Sequence, residues 1–431
     1  MGTLQSVKHK IVSFPAFRSL QFRNYRLFFF GQLVSLIGTW MQNIGQAWLV
    51  YELTHSAVWL GAIGFLTSVP VLLFSMFGGT VADKISRKKI IVATQTASMI
   101  QAFVLAALYW THVITPEIVG FLALTLGIIN AFDTPSRQAF VVEMVGKEYL
   151  GNAIALNSAV FNSARMFGPA IGGLVIATLG VGWCFFLNGV TFIAVIIGLL
   201  LINVVEQRTA EQQDASVMQS IREAVRYVRG EPVMVAILFL VSVLTIFGWS
   251  YSVLLPIFAD IVLKIGAVGY GNLLSANGIG ALISALTVAS VGHKVTPRKF
   301  IYGGIGLFVL SVFIFALSSS PLLSMLCLVG IGMGLIAFFA TANASLQNRV
   351  PDNLRGRVMG LYAVVFQGFF PFGSLGMGFA ANWIGVRTAV AGGACVCGIA
   401  GASVYTIMKR KREPSKDGTK EVLQSQIVKV K

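Results

Sequence analysis

The sequence predicts an all-α integral membrane protein with twelve transmembrane helices in two pseudo-symmetric six-helix halves. Three observations support this prediction. First, 56% of the 431 residues are hydrophobic and only 11% are charged, whereas about a quarter of the residues in a soluble domain are charged. Second, the apolar residues come in runs of about 18 to 25, which can cross a hydrocarbon core of about 30 Å as helices. Third, similar motifs recur at matching positions in the two halves of the chain.

The apolar runs set the order of the elements. The first six spans are predicted near residues 27–51, 57–82, 90–112, 117–136, 153–178 and 182–204. The second six are predicted near residues 233–260, 267–292, 299–318, 321–345, 357–382 and 387–408. The chain then divides into an N-terminal segment (1–26), a first half (27–204), a linker (205–232), a second half (233–408) and a tail (409–431).

Basic residues orient the predicted spans. Of the 32 Lys and Arg residues, all but Arg165, Lys264 and Arg387 lie before the first span, in the linker, in the tail, or in or beside the loops 2–3, 4–5, 8–9 and 10–11. Because cytoplasmic segments collect Lys and Arg, both termini and the linker are predicted to be cytoplasmic. The net charge of +16 therefore reflects topology and attraction to anionic lipids, and it does not indicate a nucleic-acid partner.

The linker interrupts the apolar pattern with the polar sequence "VEQRTAEQQDASVMQSIREAVRYVRGEP". Within it, Val217, Ile221, Val225 and Val228 recur at helical spacing, opposite a row of arginines. This pattern predicts a short amphipathic helix at the cytoplasmic surface. A tether lying on lipid headgroups is favoured over a regulatory site.

Internal similarity supports the count of twelve. "ADKISRKK" at Ala82–Lys89 is matched 210 residues later by "GHKVTPRK" at Gly292–Lys299. "ALNSAVFNSARMFGP" at Ala155–Pro169 is matched 205 residues later by "GLYAVVFQGFFPFGS" at Gly360–Ser374. Two parallel halves, each a pair of three-span units, predict a binding site at the membrane midplane and alternating access.

Several of these segments resemble a known family. "GTVADKISRKK", Gly79–Lys89, resembles the loop 2–3 signature of the major facilitator superfamily, although Ser86 replaces a usual glycine and His293 replaces the aspartate of the second copy. "GPAIGG", Gly168–Gly173, resembles the fifth-span signature of its exporters. Residues 130–141, 152–165 and 352–366 resemble the bacterial branch that contains the enterobactin exporter. The likeness extends over residues 18–408.

The resemblance implies the major facilitator fold and a transport function. The expected activity is proton-coupled antiport that exports a siderophore-like or amphiphilic drug-like solute across the bacterial cytoplasmic (inner) membrane. Two alternatives of the same fold are a lysophospholipid or lipid flippase and an uncoupled facilitator. The expected partners are the solute, membrane lipids and protons, and nothing indicates an obligate protein partner.

Enzymatic chemistry has no support in the sequence. The four cysteines lie in predicted spans without C-x-x-C spacing, and the four histidines are scattered. Neither pattern is typical of a zinc site or a disulfide framework. "GIGMG" at Gly330–Gly334 lies within a span, so it is not a nucleotide-binding loop. We therefore expect no enzyme activity, no metal and no cofactor.

A conformational latch is predicted at the cytoplasmic end of span 2. Asp83 is positioned to accept hydrogen bonds from the positive N-terminal end of another helix. The resemblance implies span 11, near Gly356–Met359, as that partner, so that the latch would hold the outward-facing state. The alternative is that the cations only fix orientation. The predicted latch residues are Gly79, Asp83, Lys84, Arg87, Lys88, Asp133 and Arg137.

The fifth-span motif predicts close helix packing. Ala164, Gly168 and Gly172 lie along one face, where small residues let two backbones approach each other. Pro169 lacks a backbone donor and bends the helix. Gly173 completes the predicted packing motif. Close helix packing explains the motif for an exporter and for an importer alike.

Arg165 is the strongest candidate for a substrate contact. It lies near the middle of span 5, where a lone cation costs at least about 2.5 kcal/mol. Ser158 and Asn162 share its helix face. Two interpretations remain open: the cation binds an anionic or catechol-like substrate, or it pairs with carbonyls or amides of an adjacent span.

Span 1 carries a polar stripe that suits either a substrate surface or interhelical hydrogen bonds. Its members are Thr39, Gln42, Asn43 and Gln46. Weaker candidates for the substrate cavity are Trp249, Tyr251, Asn343 and Gln367.

Candidates for proton coupling are few. No Asp or Glu lies in the middle of a predicted span. Glu52 and Asp260 lie at the predicted outer ends of spans 1 and 7, where each is either a proton site or a solvated surface group.

Overall fold

The structure is a computed structural model that describes residues 15–204, 217–292 and 294–410. Parts of the predicted N-terminal segment, linker and tail lie outside the described residues, as does His293. The side chain of Asp83 also lies outside the described part, although its backbone belongs to a helix.

The described residues form helices and no strands. The first half contains α1 (Arg23–Thr54), α2 (Ala57–Lys84), α3 (Arg87–Trp110), α4 (Pro116–Gly146), α5 (Glu148–Leu179) and α6 (Val181–Leu200). Helix α7 (Val217–Gly230) lies within the predicted linker. The second half contains α8 (Pro232–Val262), α9 (Gly266–Val291), α10 (Pro297–Leu317), α11 (Pro321–Gln347), α12 (the segments Asp352–Gly368 and Phe370–Ile384) and α13 (Val386–Arg410).

The predicted fold class is confirmed. Eleven helices, α2 to α6 and α8 to α13, are long and apolar enough to cross a membrane. Helix α1 is not among the eleven, because polar side chains lower its hydropathy, but it is continuous over 32 residues. At 1.5 Å per residue it covers about 48 Å, more than the hydrocarbon core requires. With α1, twelve helices can span the bilayer.

Local sequence explains where many helices begin and end. Ser56, Ser86, Thr115 and Ser320 cap α2, α3, α4 and α11 by accepting a hydrogen bond from the backbone N–H three residues on, as N-cap hydroxyls do. Gly146 adopts φ +73° and separates α4 from α5. Because glycine tolerates that conformation, two spans join through a single-residue kink.

The bundle has two faces, distinguished by their loops. The terminal face holds residues 15–22, 84–87, 146–148, 201–204, 292, 294–296 and 348–351, together with α7. The opposite face holds residues 54–57, 111–115, 180, 263–265, 318–320 and 385. Contacts join the terminal-face segments: the Lys88 ammonium donates to Ile202 O at 2.7 Å, and Asn24 donates to Asn203 O at 2.7 Å.

The two halves pack tightly toward the opposite face. Helix α2 meets α12 where a Cβ atom on Gly61 would lie 2.5 Å from Ser374 O. Helix α5 meets α9 where a Cβ atom on Gly173 would lie 2.7 Å from Ala267 O. Both approaches bring backbone against backbone, which only small residues allow.

Toward the terminal face the same helices diverge. The contact between α2 and α12 extends to Leu72 and Gly368. Beyond it, Cβ atoms placed on Gly79, Gly356 or Gly360 would meet no atom within 4 Å. For the described residues, the interface is therefore packed at the opposite face and, at these three glycines, open at the terminal face.

Candidate functional site

A cavity of about 310 Å³ lies between the two halves. Helices α2 and α4 of the first half and α8 and α12 of the second half contribute to it. Its wall combines aromatic rings with a few amides and hydroxyls, the composition expected of a small-molecule site. It is lined by Thr67, Ser68, Val71, Asn130, Trp249, Phe366, Gln367 and Phe370.

Trp249 lines this cavity at an irregular part of α8. The helix is regular to Val243, widens over Leu244–Gly248, tightens over Trp249–Leu254 and widens again over Phe258–Val262. Wide turns of this kind are frequent at functional sites. The irregularity is compatible with Pro256, which has no N–H to donate within the helix.

Trp249 belongs to an aromatic wall. Its ring centroid lies 5.4 Å from that of Phe366, 5.6 Å from Phe339 and 6.5 Å from Phe370. Such edge-to-face and tilted contacts hold the rings in place. The cavity therefore has an aromatic side formed by α8 and α12, and Phe339 of α11 packs against it.

Arg165 of the first half contacts the aromatic wall and an amide of the second half. Its Nη2 donates to Asn277 Oδ1 of α9 at 2.6 Å, and its Cζ lies 5.9 Å from the Trp249 ring centroid, within cation–π range. Asn277 is itself buried and donates to the Tyr251 hydroxyl at 3.1 Å. The guanidinium is thus hydrogen-bonded across the interface and also lies beside a ring that lines the cavity.

The structure brings together four of the sequence candidates. Arg165, Trp249 and Tyr251 form one cluster with Asn277, and Gln367 lines the cavity next to Trp249. Sequence reasoning missed Asn277 and the cavity-lining residues of the first half. Three of the missed first-half residues left a signal in the sequence. Thr67 and Ser68 form a polar pair inside span 2, and Asn130 is the first residue of "NAFDTPSRQAFV".

The span 1 stripe divides between two environments. Gln42 is buried and joins three helices, donating to Gln101 Oε1 at 2.9 Å and accepting from Asn188 at 2.7 Å. Gln46 is also buried, whereas Asn43 is exposed. Thr39 donates to a carbonyl of its own helix. Gln42 therefore makes the interhelical hydrogen bonds that were one of the two interpretations.

The remaining cavity candidates make local hydrogen bonds. The Asn162 amide donates to Ser158 O at 2.8 Å, one turn earlier in α5. Asn343 accepts from Gln347 at 2.5 Å within α11. Neither residue lines the cavity between the halves.

Asp133, which is buried, and Arg137, which is partly exposed, form an ion pair inside the first half. Arg137 Nε donates to Asp133 Oδ2 at 2.9 Å, while Asp133 Oδ1 accepts from Thr94 at 2.7 Å and Gln95 at 3.0 Å. Arg137 also donates to Gln32 of α1. The pair therefore lies inside a helix that continues ten residues past the predicted end of its span, to Gly146.

The cations at the loop between α2 and α3 lie in different environments. Arg87 pairs with Glu143 at 2.6 Å, and Lys88 donates to the carbonyls that end α6. Lys84 is exposed at the end of α2. These contacts stay within the first half, and the Asp83 side chain, on which the predicted latch depends, lies outside the described part.

The fifth-span motif packs in two directions. Cβ atoms on Gly168 and Gly172 would each lie 2.5 Å from a side-chain atom of α1, on Trp40 and Ile44. Gly173 instead meets α9 across the interface between halves. One motif thus fixes α5 inside its own half and against the other half.

The two predicted proton sites lie together at the opposite face. Tyr51 of α1 donates to Asp260 Oδ2 of α8 at 2.7 Å. The neighbouring Glu52 accepts from Trp48 Nε1 at 2.6 Å, and the Trp48 ring stacks on Tyr270 of α9. Asp260 therefore takes part in closing the interface between the halves.

The chain is similar to known transporters in sequence. A family model described as transmembrane secretion effector, a branch of the major facilitator superfamily, matches residues 14–431. The staphyloferrin A transporter of Staphylococcus aureus is 28% identical over 84% of this chain and 90% of its own length. The enterobactin exporter of Escherichia coli is 27% identical over 81% of each chain.

Solved structures agree on the fold. The crystal structure of a nucleoside transporter covers 90% of this chain and 98% of its own with a TM-score of 0.71 at 14% identity. A bacterial homologue of the lysosomal transporter Spinster, in an inward-facing and unoccupied conformation, covers 89% of this chain and 96% of its own with a TM-score of 0.69 at 13% identity. At such low identity these similarities concern architecture alone.

Proposed function

The chain belongs to the transmembrane secretion effector family of the major facilitator superfamily, and from this premise we propose that it exports a siderophore-like or amphiphilic organic solute by proton-coupled alternating access. It is a multi-pass membrane transporter and not an enzyme. The proposed location is the bacterial inner membrane, with both termini in the cytoplasm. Siderophore transport and export in the names of two relatives support the substrate class and the direction.

One observation carries the substrate proposal: the cavity between the halves has Arg165 beside its aromatic wall. A planar aromatic solute would stack on Trp249 and Phe366. A guanidinium binds phenolate or carboxylate oxygens through its planar fork of donors. Asn130 and Gln367 supply amide groups for the remaining polar atoms. This combination fits an anionic or catechol-like solute better than an uncharged lipid tail.

The open face supports loading from the cytoplasm. Cytoplasmic loops collect Lys and Arg, and the Lys and Arg residues that the structure describes concentrate at the terminal face. If that face is cytoplasmic, the conformation described here is inward-facing and receives solute from inside the cell. Export then requires the terminal face to close and the packed opposite face to open.

The proposed latch would act when the terminal face closes. Closure would bring the end of α2 to the start of α12, where Gly79, Gly356 and Gly360 now border open space. Asp83 would then meet the positive N-terminal end of α12. The glycines would allow the close approach that this contact needs.

Asp260 is the proposed coupling site. Its carboxylate accepts the Tyr51 hydrogen bond that joins the halves at the opposite face. Protonation removes the charge that strengthens this bond, and opening of the face would expose the carboxyl group to external protons. Glu52, bonded to Trp48 of the same helix, is the second candidate.

The substrate proposal is tested by transport in proteoliposomes with catechol siderophores, carboxylate siderophores, amphiphilic drugs and lysolipids. We expect Arg165→Ala to abolish transport of the anionic solute and Arg165→Lys to restore part of it. Arg387→Ala is the matched control, because Arg387 bonds to the loop carbonyls of Leu317 and Ser318 at the opposite face. Transport of lysolipids with all variants active would instead favour the flippase alternative.

Coupling is tested in the same vesicles by following substrate-driven proton flux. We expect Asp260→Asn to transport solute down its gradient without moving protons, and Glu52→Gln to retain coupling. Loss of proton flux in Glu52→Gln, with flux retained in Asp260→Asn, would identify Glu52 as the coupling site instead. Solute movement without protons in the parent protein would identify an uncoupled facilitator.

A further inference from the structure

A groove of about 490 Å³ lies between α3 and α4, on the first half alone and separate from the cavity between the halves. Its walls are apolar: Ala93 and Ala97 come from α3, and Ile128 and Phe132 come from α4. Thr94 also lines it, but the Thr94 hydroxyl donates to Asp133 inside the bundle. The groove therefore presents an apolar surface to a bound molecule.

The groove runs inward from the terminal face. Ile85 and Lys89 mark its mouth, beside the turn between α2 and α3. Ala97 lies eight residues deeper in α3, which is about 12 Å at 1.5 Å per residue. Ile85 is 51% exposed and Ile128 is 39% exposed. On a membrane-spanning bundle, an exposed isoleucine inside a span, as Ile128 is, faces lipid acyl chains.

The mouth of the groove is cationic. Lys89 lines it and is exposed, and Lys84 is exposed five residues earlier. The two cations between them are engaged elsewhere, Arg87 with Glu143 and Lys88 with the carbonyls that end α6. A positive mouth above an apolar channel matches an anionic lipid, which carries a phosphate at one end and acyl chains at the other.

We propose that this groove is a binding site for one anionic glycerophospholipid, with an acyl chain between α3 and α4 and the phosphate at Lys89. Basic residues at a membrane surface attract anionic headgroups. One such residue is expected to favour an anionic over a zwitterionic lipid about fivefold. The site would bind lipid from the leaflet at the terminal face, whichever solute the cavity between the halves carries.

The second half supplies a matched control. Lys299 occupies the position equivalent to Lys89 in "GHKVTPRK" and is also exposed, but it does not line this groove. Lys89→Gln and Lys299→Gln therefore remove the same charge from equivalent turns. Ala97→Phe fills the deep end of the groove and leaves the charge in place.

The test is native mass spectrometry of the delipidated, detergent-purified full chain, titrated with phosphatidylglycerol and with phosphatidylcholine of the same acyl chains. We expect the parent and Lys299→Gln to bind one phosphatidylglycerol about fivefold more tightly than phosphatidylcholine. Lys89→Gln should bind both lipids equally, and Ala97→Phe should lose the first bound lipid of either kind.

Three outcomes would overturn the proposal. The parent could show no preference for the anionic lipid, or the preference could survive Lys89→Gln. The preference could also fall equally in Lys299→Gln, which would indicate a general effect of net charge. Because Lys89→Gln alters an exposed side chain, its result stands even if Ala97→Phe does not fold.

Discussion

The two ends of the interface between the halves use the same helices and differ in packing. Toward the opposite face, Gly61 and Gly378 bring α2 and α12 into backbone contact, and Tyr51 bonds to Asp260. Toward the terminal face, Gly79 and Gly356 on those same two helices border open space. Among the described residues, small residues occur on both helices at both ends, and those at the opposite face are the ones in contact in this conformation.

The difference in packing between the two ends is expected if each half moves as a unit. Each half has its own internal contacts, such as the Gln42 network and the Asp133–Arg137 pair of the first half. In the proposed alternating access, a rocking movement of one half against the other would exchange contacts at one end for contacts at the other. Substitutions at the two ends should bias this exchange in opposite directions.

The largest effect is expected for Gly378→Leu. A Cβ atom there would lie 2.6 Å from Ala57 O, so the opposite face could not pack as it does now. Overpacking of this kind costs about 1 to 3 kcal/mol, which lowers the population of the packed state about 5- to 150-fold. Spin labels on the exposed residues Leu53 and Ile261, in a cysteine-free background, would report a longer distance.

Gly376→Leu is the matched control. It lies in the same segment of α12, makes the same change in helix propensity, and would meet no atom within 4 Å at its Cβ. We expect its label distances to equal those of the parent. Equal shifts in both variants would contradict the role assigned to the Gly378 contact.

A smaller effect is expected for Tyr51→Phe. The substitution removes the hydrogen bond to Asp260 and keeps the ring against Trp48. Its loss should destabilise the packed opposite face by about 1 kcal/mol, or about fivefold in population. The same pair of labels measures this shift.

A double-mutant cycle isolates that bond. If Tyr51 and Asp260 act together, Tyr51→Phe should have little further effect in an Asp260→Asn background. Additive shifts would show that the tyrosine hydroxyl and the carboxylate stabilise the face independently.

The smallest effect is expected at the open end. Helix α7 packs against the first segment of α12, and its Glu223 pairs with Arg357. Both side chains are about one-third exposed, and such pairs contribute at most about 1 kcal/mol. Glu223→Gln should slightly favour closure of the terminal face, seen as a shorter distance between labels on Lys84 and Gly356.

Salt and a neighbouring arginine provide the controls. The effect of Glu223→Gln should shrink as ionic strength rises, because exposed pairs are screened. Arg226→Gln, on the exposed side of the same helix, should leave the distance unchanged. A shift with Arg226→Gln of the same size would indicate a general charge effect of α7.

Sequence reasoning anticipated parts of the site and missed others for a common reason. Arg165 stood out because an isolated cation in an apolar run is costly. Its hydrogen-bond partner Asn277 did not stand out, because a single amide in a span has no sequence neighbour that identifies its contact. The irregular turns of α8 on either side of Trp249 also left no periodic signal in the sequence.

The sequence by itself determined the class of protein, the number of spans and the similarity of the two halves. These follow from linear patterns, because a bilayer demands apolar runs of fixed length and duplication preserves spacing. Only the tertiary structure decided which residues meet across the halves, where the cavity lies and which end is packed. Arg165 and Asn277 are 112 positions apart, and contacts over such distances depend on how whole helices pack.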